Sequence, residues 1–147
     1  MNTRFFKFAS EAAKKADYTG SSSSPSIGAV AVYKGSIIAE AWNTNKTSPL
    51  QARYNIYRYY NPSVPPKNHC ETALVQKIRW KFGDNLQWDK VDIYLYREYK
   101  DGRLACSRPC PSCEKLLHDV GIRTICHTTD GGYVEEKFQP NKKINKK

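Results

Sequence analysis

Nowhere in the 147 residues is there an apolar run approaching the ~20 that a membrane-crossing helix needs, which excludes a helical span. The opening stretch, Met1-Asn2-Thr3-Arg4-Phe5-Phe6-Lys7, places charges where a secretory signal requires an unbroken apolar run, so a cytoplasmic protein is expected. Acidic residues are scarce: 14 Asp plus Glu stand against 24 Lys plus Arg, a formal net charge of +10. Such a field favours polyanionic partners, nucleic acid first among them. Part of the excess lies in Lys142, Lys143, Lys146 and Lys147, where plain solvation explains it equally well. Cysteines are too few and too unevenly placed for a disulfide framework. There are five, an odd number, and Cys110 and Cys113 follow a proline three positions apart, a spacing suited to metal binding in a reducing compartment. No internal repeat is visible.

A hydrophobic fraction of 39% with 12% aromatics suffices for one globular domain over 1–147, with a flexible linker at 19–26 and a loose basic tail at 139–147. Thr3 to Ala16 reads as a helix, with Phe5, Phe8, Ala9, Ala12, Ala13 and Ala16 at helical spacing and Asn2 or Thr3 as its cap. The apolar runs from Ile27 to Tyr33 and from Ser36 to Trp42, separated by Lys34-Gly35, predict a β-hairpin. Between Asn43 and Asn68 the periodicity fades and four prolines intervene. The pattern there is a long loop with room for a short helix around Gln51 to Tyr60.

Glu71 to Phe82 is a helix with Leu74, Val75, Ile78 and Phe82 on one face. Val91 to Tyr96 is a strand. A second helix opens at Pro109-Cys110 and runs to Val120, with Cys113, Leu116, Leu117 and Val120 inward and Gly121 as its stop. Ile122 to Thr128 and Tyr133 to Phe138 flank Asp130-Gly131-Gly132 and should pair antiparallel. The order αββαβαββ specifies a three-layer α/β domain on a mixed sheet.

Two chemistry-bearing clusters both open helices: His69-Cys70-Glu71 and Pro109-Cys110-Pro111-Ser112-Cys113. The partial positive charge of a helix N-terminus favours thiolates, and two cysteines three apart can both reach one ion. His69, Cys110 and Cys113 thus make three ligands for zinc, which leaves the fourth tetrahedral position for water, the mark of a catalytic rather than structural site. Glu71 lines up with Val75 and Ile78, so its carboxylate faces the interior, a costly placement unless proton transfer uses it.

Here the chain resembles the cytidine deaminase superfamily, whose H-x-E and later P-C-x-x-C signature is met by His69, Glu71, Pro109, Cys110 and Cys113. The likeness extends over roughly Ile27 to Phe138. It implies a cytidine deaminase-like fold with a five-stranded sheet, helices on both faces and the last two strands antiparallel. It also implies zinc-dependent hydrolytic deamination, with Glu71 as the proton carrier. Asn43, which follows the second strand, is nominated as a contact to the substrate nucleoside, with Gly28, Ala29 and Cys70 as further substrate neighbours. Cys70 departs from the family's usual alanine. Asp130-Gly131-Gly132 replaces the helix that polynucleotide members commonly place between the last two strands, and the Asn43 to His69 loop is longer than usual.

Three readings remain open. The first is conversion of cytosine to uracil in single-stranded nucleic acid, DNA above RNA; the second is deamination of a free cytidine or deoxycytidine nucleoside or nucleotide. The third is a nucleic-acid-binding module with a structural zinc, completed by Cys70, Cys106 or Cys126. Cys110-Pro111-Ser112-Cys113 alone would also suit a thioredoxin-like redox pair, but such motifs follow an early strand. The polymer reading rests on the net charge and on Arg53 to Tyr60, where Tyr54, Tyr57 and Arg58 could stack bases and pair phosphates; packing of these tyrosines is the competing account. Ser107 and Arg108 are further candidates for a flanking phosphate. Cys106 and Cys126 read as small hydrophobic residues.

Overall fold

In the computed structural model, the described residues are 1–16, 26–44, 46–57, 67–83, 85–99 and 101–138. Strands β1 (Ile27–Tyr33) and β2 (Ser36–Trp42) form the expected hairpin, turning at Lys34 (φ 53°) and Gly35 (φ 80°). Two successive positive φ values match the right-handed twist of the flanking strands, and the glycine bears the second at no steric cost. β1 also pairs antiparallel with β3 (Val91–Arg97), β3 runs parallel to β4 (Thr124–Thr129), and β4 pairs antiparallel with β5 (Gly132–Lys137). The sheet order is β2-β1-β3-β4-β5, which is the five-stranded mixed sheet expected.

Residues of β1 alternate between two helical layers. Val30 and Val32 join Tyr94 and Cys126 against α1 (Phe5–Ala13), while Ala29 and Ala31 face α3 (Cys70–Phe82) and α4 (Pro111–Val120). The second face holds the larger core, where Leu74, Ile78, Ile93, Leu95, Leu116, Leu117, Ile122 and Ile125 are fully buried. Each of these side chains contributes about 1.5–3 kcal/mol of apolar burial. Gly28 belongs to the α1 side. A Cβ there would come within 2.2 Å of the Ala9 carbonyl oxygen and 2.3 Å of the Ala13 nitrogen, so α1 lies directly on the β1 backbone at this point.

Several local expectations shift. The first helix is shorter than Thr3 to Ala16 and begins after Arg4, which has helical dihedrals and no side-chain cap; neither Asn2 nor Thr3 is the cap residue. Asn2 holds the turn that precedes the helix, its Oδ1 accepting the Arg4 N–H at 3.2 Å, while its backbone N–H donates to Tyr94 Oη at 3.0 Å. Phe8 is exposed, and Phe6 takes the inward place, stacked on Tyr133 with ring centroids 4.1 Å apart. The Asn43–Asn68 segment does contain a helix, α2 (Pro49–Tyr54), continued by a 3₁₀ turn at Asn55–Tyr57. β4 starts at Thr124 rather than Ile122, because the Ile122 N–H is held by the Leu117 carbonyl as α4 closes through Gly121 (φ 89°). Cys126 is buried as expected, but Cys106 is exposed and does not act as a small core residue. The linker expected at 19–26 lies, apart from Ser26, outside the described residues, as does the tail at 139–147. Among the described residues no helix is long and apolar enough to cross a membrane.

Candidate metal centre and active site

The N-termini of α3 and α4 converge. His69 is extended (φ −78°, ψ 161°) while its carbonyl accepts the Ala73 N–H at 3.0 Å, so α3 starts at this imidazole. Cys110 does the same for α4: it is extended, its carbonyl accepts from the Glu114 N–H at 2.8 Å, and Pro111 supplies a first helical residue with preset φ. Cys113 then sits in the first turn. The His69 imidazole and the two sulfurs lie within 4.8 Å of one another, with His69 Nδ1 at 3.6 Å from Cys110 Sγ and 3.4 Å from Cys113 Sγ.

These donors fit zinc. Tetrahedral zinc with Zn–S of about 2.3 Å and Zn–N of about 2.0 Å sets nitrogen and sulfur about 3.5 Å apart, which is the separation seen. The Cys110 thiol is pulled far below its usual range by hydrogen bonding from Cys113, with His69 and Ser112 adding to the effect against the cost of burial. Cys113 is raised by the same hydrogen bond and by burial.

Glu71 is 5% exposed and lies one helical position beyond Cys70, whose thiol donates to Glu71 Oε1 at 3.2 Å. Burial raises its carboxyl above the ordinary range; the His69 charge works against the rise and the Cys110 thiolate adds to it. A buried carboxyl with a raised affinity for protons is suited to taking one up and passing it on.

One organising residue was not singled out from the sequence. Gln51, on α2 and 1% exposed, accepts the His69 backbone N–H on Oε1 at 3.2 Å and the Thr72 hydroxyl on the same oxygen at 2.5 Å. Its Nε2 donates to Asn55 Oδ1 at 2.8 Å. Ser48 caps α2 by accepting the Gln51 N–H and also accepts from Gln76 Nε2 of α3, both at 3.2 Å. The local signal was present: Ser48-Pro49-Leu50-Gln51 has the S-x-x-Q form of a capping box. Here the glutamine side chain turns to α3 and fixes the residue that begins it.

The remaining candidates take the following places. Asn43 is buried, and its Oδ1 accepts the Ile27 N–H at 3.1 Å, closing the open end of the β1–β2 hairpin. Gly28 is used by α1 packing, and Ala29 is wholly buried on the α3 face. Ser107 donates to the Leu95 carbonyl at 3.0 Å and accepts the Thr128 N–H at 2.8 Å, a staple between the loop before Cys110 and two strands. The Arg108 guanidinium bridges Glu114 (3.0 Å) and Glu136 (2.9 Å), and Glu136 in turn meets His127 Nε2 at 2.7 Å. The charge expected to meet a phosphate thus anchors the Cys110 loop to α4 and β5. Tyr54 donates to Asp119 of α4 at 2.7 Å, and Lys115 lies over the Tyr57 ring at 5.6 Å. Tyr54 fastens α2 to α4, as the packing account has it, whereas Tyr57, in the 3₁₀ turn, is 47% exposed. Arg58 lies outside the described residues.

A family model described as the cytidine and deoxycytidylate deaminase zinc-binding region matches residues 1–129, which include all three metal-ligand residues and Glu71. The chain belongs to this deaminase family. Zinc is accordingly the metal for which His69, Cys110 and Cys113 are positioned. Among solved structures, the cytidine deaminase from Burkholderia pseudomallei shares 17% identity at a TM-score of 0.61, over 94% of this chain and 93% of that one. The dCMP deaminase from the cyanophage S-TIM5, in apo form, shares 19% identity at a TM-score of 0.55, over 85% and 82%. The same phage enzyme in complex with dCMP and dUMP aligns at 17% identity and a TM-score of 0.51, over 83% and 76%. At these identities the likeness concerns the fold, which is the cytidine deaminase-like one expected. No curated protein gives a significant match.

Proposed function

We propose that this member of the deaminase family converts cytosine to uracil hydrolytically, with Glu71 as the proton carrier and His69, Cys110 and Cys113 as the zinc ligands. The observation that carries this reading is a buried carboxyl with a raised affinity for protons beside a His-Cys-Cys cluster of zinc dimensions. Zinc bound there supplies the Lewis acidity that makes water nucleophilic near neutral pH. Glu71 takes a proton from the attacking water and gives it to ring N3, which makes C4 electrophilic. A C–O bond forms at C4, and a second proton passed through Glu71 lets the C4–N bond break with loss of ammonia. Cytosine plus water thus gives uracil plus ammonia.

Cys70 holds one oxygen of this carboxyl, and Gln51 fixes the start of the helix that presents it. The net charge of +10 supports an anionic substrate, a nucleotide or a polynucleotide strand, over an uncharged nucleoside. Free dCMP is a second reading, supported by the likeness to the phage dCMP deaminase. The test is to offer zinc-loaded protein cytidine, dCMP, cytosine-bearing single-stranded DNA and the matching adenine compounds, and to measure ammonia and base conversion. Ammonia from at least one cytosine substrate is expected, with Glu71→Ala slowing it by about 10²–10⁴-fold while zinc is retained. A wild-type rate in Glu71→Ala, or no ammonia from any cytosine compound, would overturn the proposal.

A further inference from the structure

Among the described residues an open groove of about 1090 Å³ lies apart from the zinc ligands and Glu71. It follows the edge strand β2, with α1 on one side and α3 on the other, over about 23 Å for seven residues at ~3.3 Å each. Its inner end is formed by Thr44, Lys46 and Asn68, the last being the residue before His69. α3 contributes a second stripe at helical spacing, opposite in chemistry to its buried one: Gln76, Lys77, Trp80 and Lys81. Trp80 is 91% exposed, an extreme value for the largest side chain.

The nature of the occupant follows from what the groove already satisfies. Lys77 Nζ donates to the Glu40 carbonyl at 2.8 Å and Lys81 Nζ to the Ile38 carbonyl at 3.4 Å; a docking β-strand would need those carbonyls and would have to displace both amines, whereas an ammonium with three N–H donors can keep its carbonyl and still meet a phosphate. A second copy related by a two-fold axis would bring the lysines of one groove against those of the other on a chain already at +10. Four lysines line the groove against two glutamates, and Glu40 is already paired to Lys15 at 3.0 Å. An exposed indole flanked by ammonium groups is the combination with which single-stranded nucleic acid is held, the ring stacking a base and the amines meeting phosphates. Thr44, Asn68 and Gln76, the amide and hydroxyl side chains, are confined to the inner end. The outer stretch therefore offers little to read a 2′-hydroxyl, which favours DNA.

We infer that the β2-edge groove binds single-stranded DNA, with Trp80 as a stacking platform and Lys46, Lys77 and Lys81 as phosphate contacts. It thereby holds the strand flanking the cytosine that enters the site. The inference rests on the cytosine-deamination reading for its link to catalysis, but binding itself is testable apart from it.

The experiment measures anisotropy of a labelled oligothymidylate, which contains no cytosine, with the zinc-loaded full chain across a salt series, beside deamination of dCMP. Trp80→Ala should weaken binding about tenfold. Lys77→Ala with Lys81→Ala should reduce the slope of log K against log salt by about 0.7 per lysine. Turnover of dCMP should be unchanged in both variants. An oligouridylate arm should bind no more tightly than DNA. Wild-type affinity in both folded variants, tighter binding to RNA, or a dimer seen by sedimentation that Trp80→Ala dissolves would each overturn the inference, the last in favour of self-association. Trp80-dependent binding without deamination of any cytosine would sink the proposed reaction and leave the groove standing. Turnover of dCMP with Trp80-independent binding would do the reverse.

Discussion

The two ends of α3 carry opposite chemistry on one continuous helix. At its start His69, Cys70, Glu71 and Thr72 are buried or half-buried, and each makes a contact with a short donor–acceptor distance: to α4, to the neighbouring side chain, or to Gln51 of α2. At its finish Trp80 stands almost wholly in solvent and Lys81 reaches back to the edge of the sheet. A buried polar group retains its place only through its partners, so changes at the start propagate through the network. At the finish the same helix displays Trp80, whose removal disturbs no buried contact.

The sharpest way to break this contrast is at the metal. Cys113→Ala should remove zinc and all measurable deamination, and lower the melting temperature, since zinc bound only by the folded state is itself folding free energy. Metal analysis with calorimetry checks this, and a variant that keeps zinc and turnover would mean the cluster is not the metal site. Next in size is Gln51→Ala, which strips the acceptor from both the His69 N–H and the Thr72 hydroxyl. Leaving them unpaired should cost about 1–3 kcal/mol of stability. Zinc affinity should fall about 10–100-fold. Gln51→Glu, which keeps an acceptor oxygen, should recover part of both in denaturant unfolding and metal competition; if it recovers neither, the amide is not acting through that oxygen. Smallest is Trp80→Ala at the far end, which should alter stability by no more than about 0.5 kcal/mol. A larger loss in the same unfolding assay would mean that the indole packs in the free protein and that the two ends of α3 are less different than they look.

Much of the fold was legible because it is local. The hairpin follows from Lys34-Gly35 between two apolar runs, α3 from the spacing of Leu74, Val75 and Ile78, and the end of α4 from Gly121, which adopts the left-handed conformation that terminates it. The expectations that moved were those where a distant partner competes with local preference. Phe6 displaced Phe8 because the sheet presents Tyr94 and Tyr133 on that side, and Ile122 was taken up by the Leu117 carbonyl. Some of the basic and aromatic residues meet distant partners in the same way. Arg108 and Tyr54 have the composition of a nucleic-acid surface, yet carboxylates across 28 and 65 residues of chain engage them.

By itself the sequence determined the chemistry at the starts of α3 and α4. His69, Glu71, Cys110 and Cys113 are placed by short-range rules: an extended residue before a helix, a proline at its first position, and a turn that sets a cysteine three residues after another. Only the tertiary structure decided what surrounds them. That α3 and α4 meet at sub-5 Å separations, that Gln51 rather than water holds the His69 amide, and that Trp80 borders an open groove depend on contacts between segments tens of residues apart. Periodicity reports which face of an element is apolar, but the partner of a polar side chain is chosen by the packing of the whole chain.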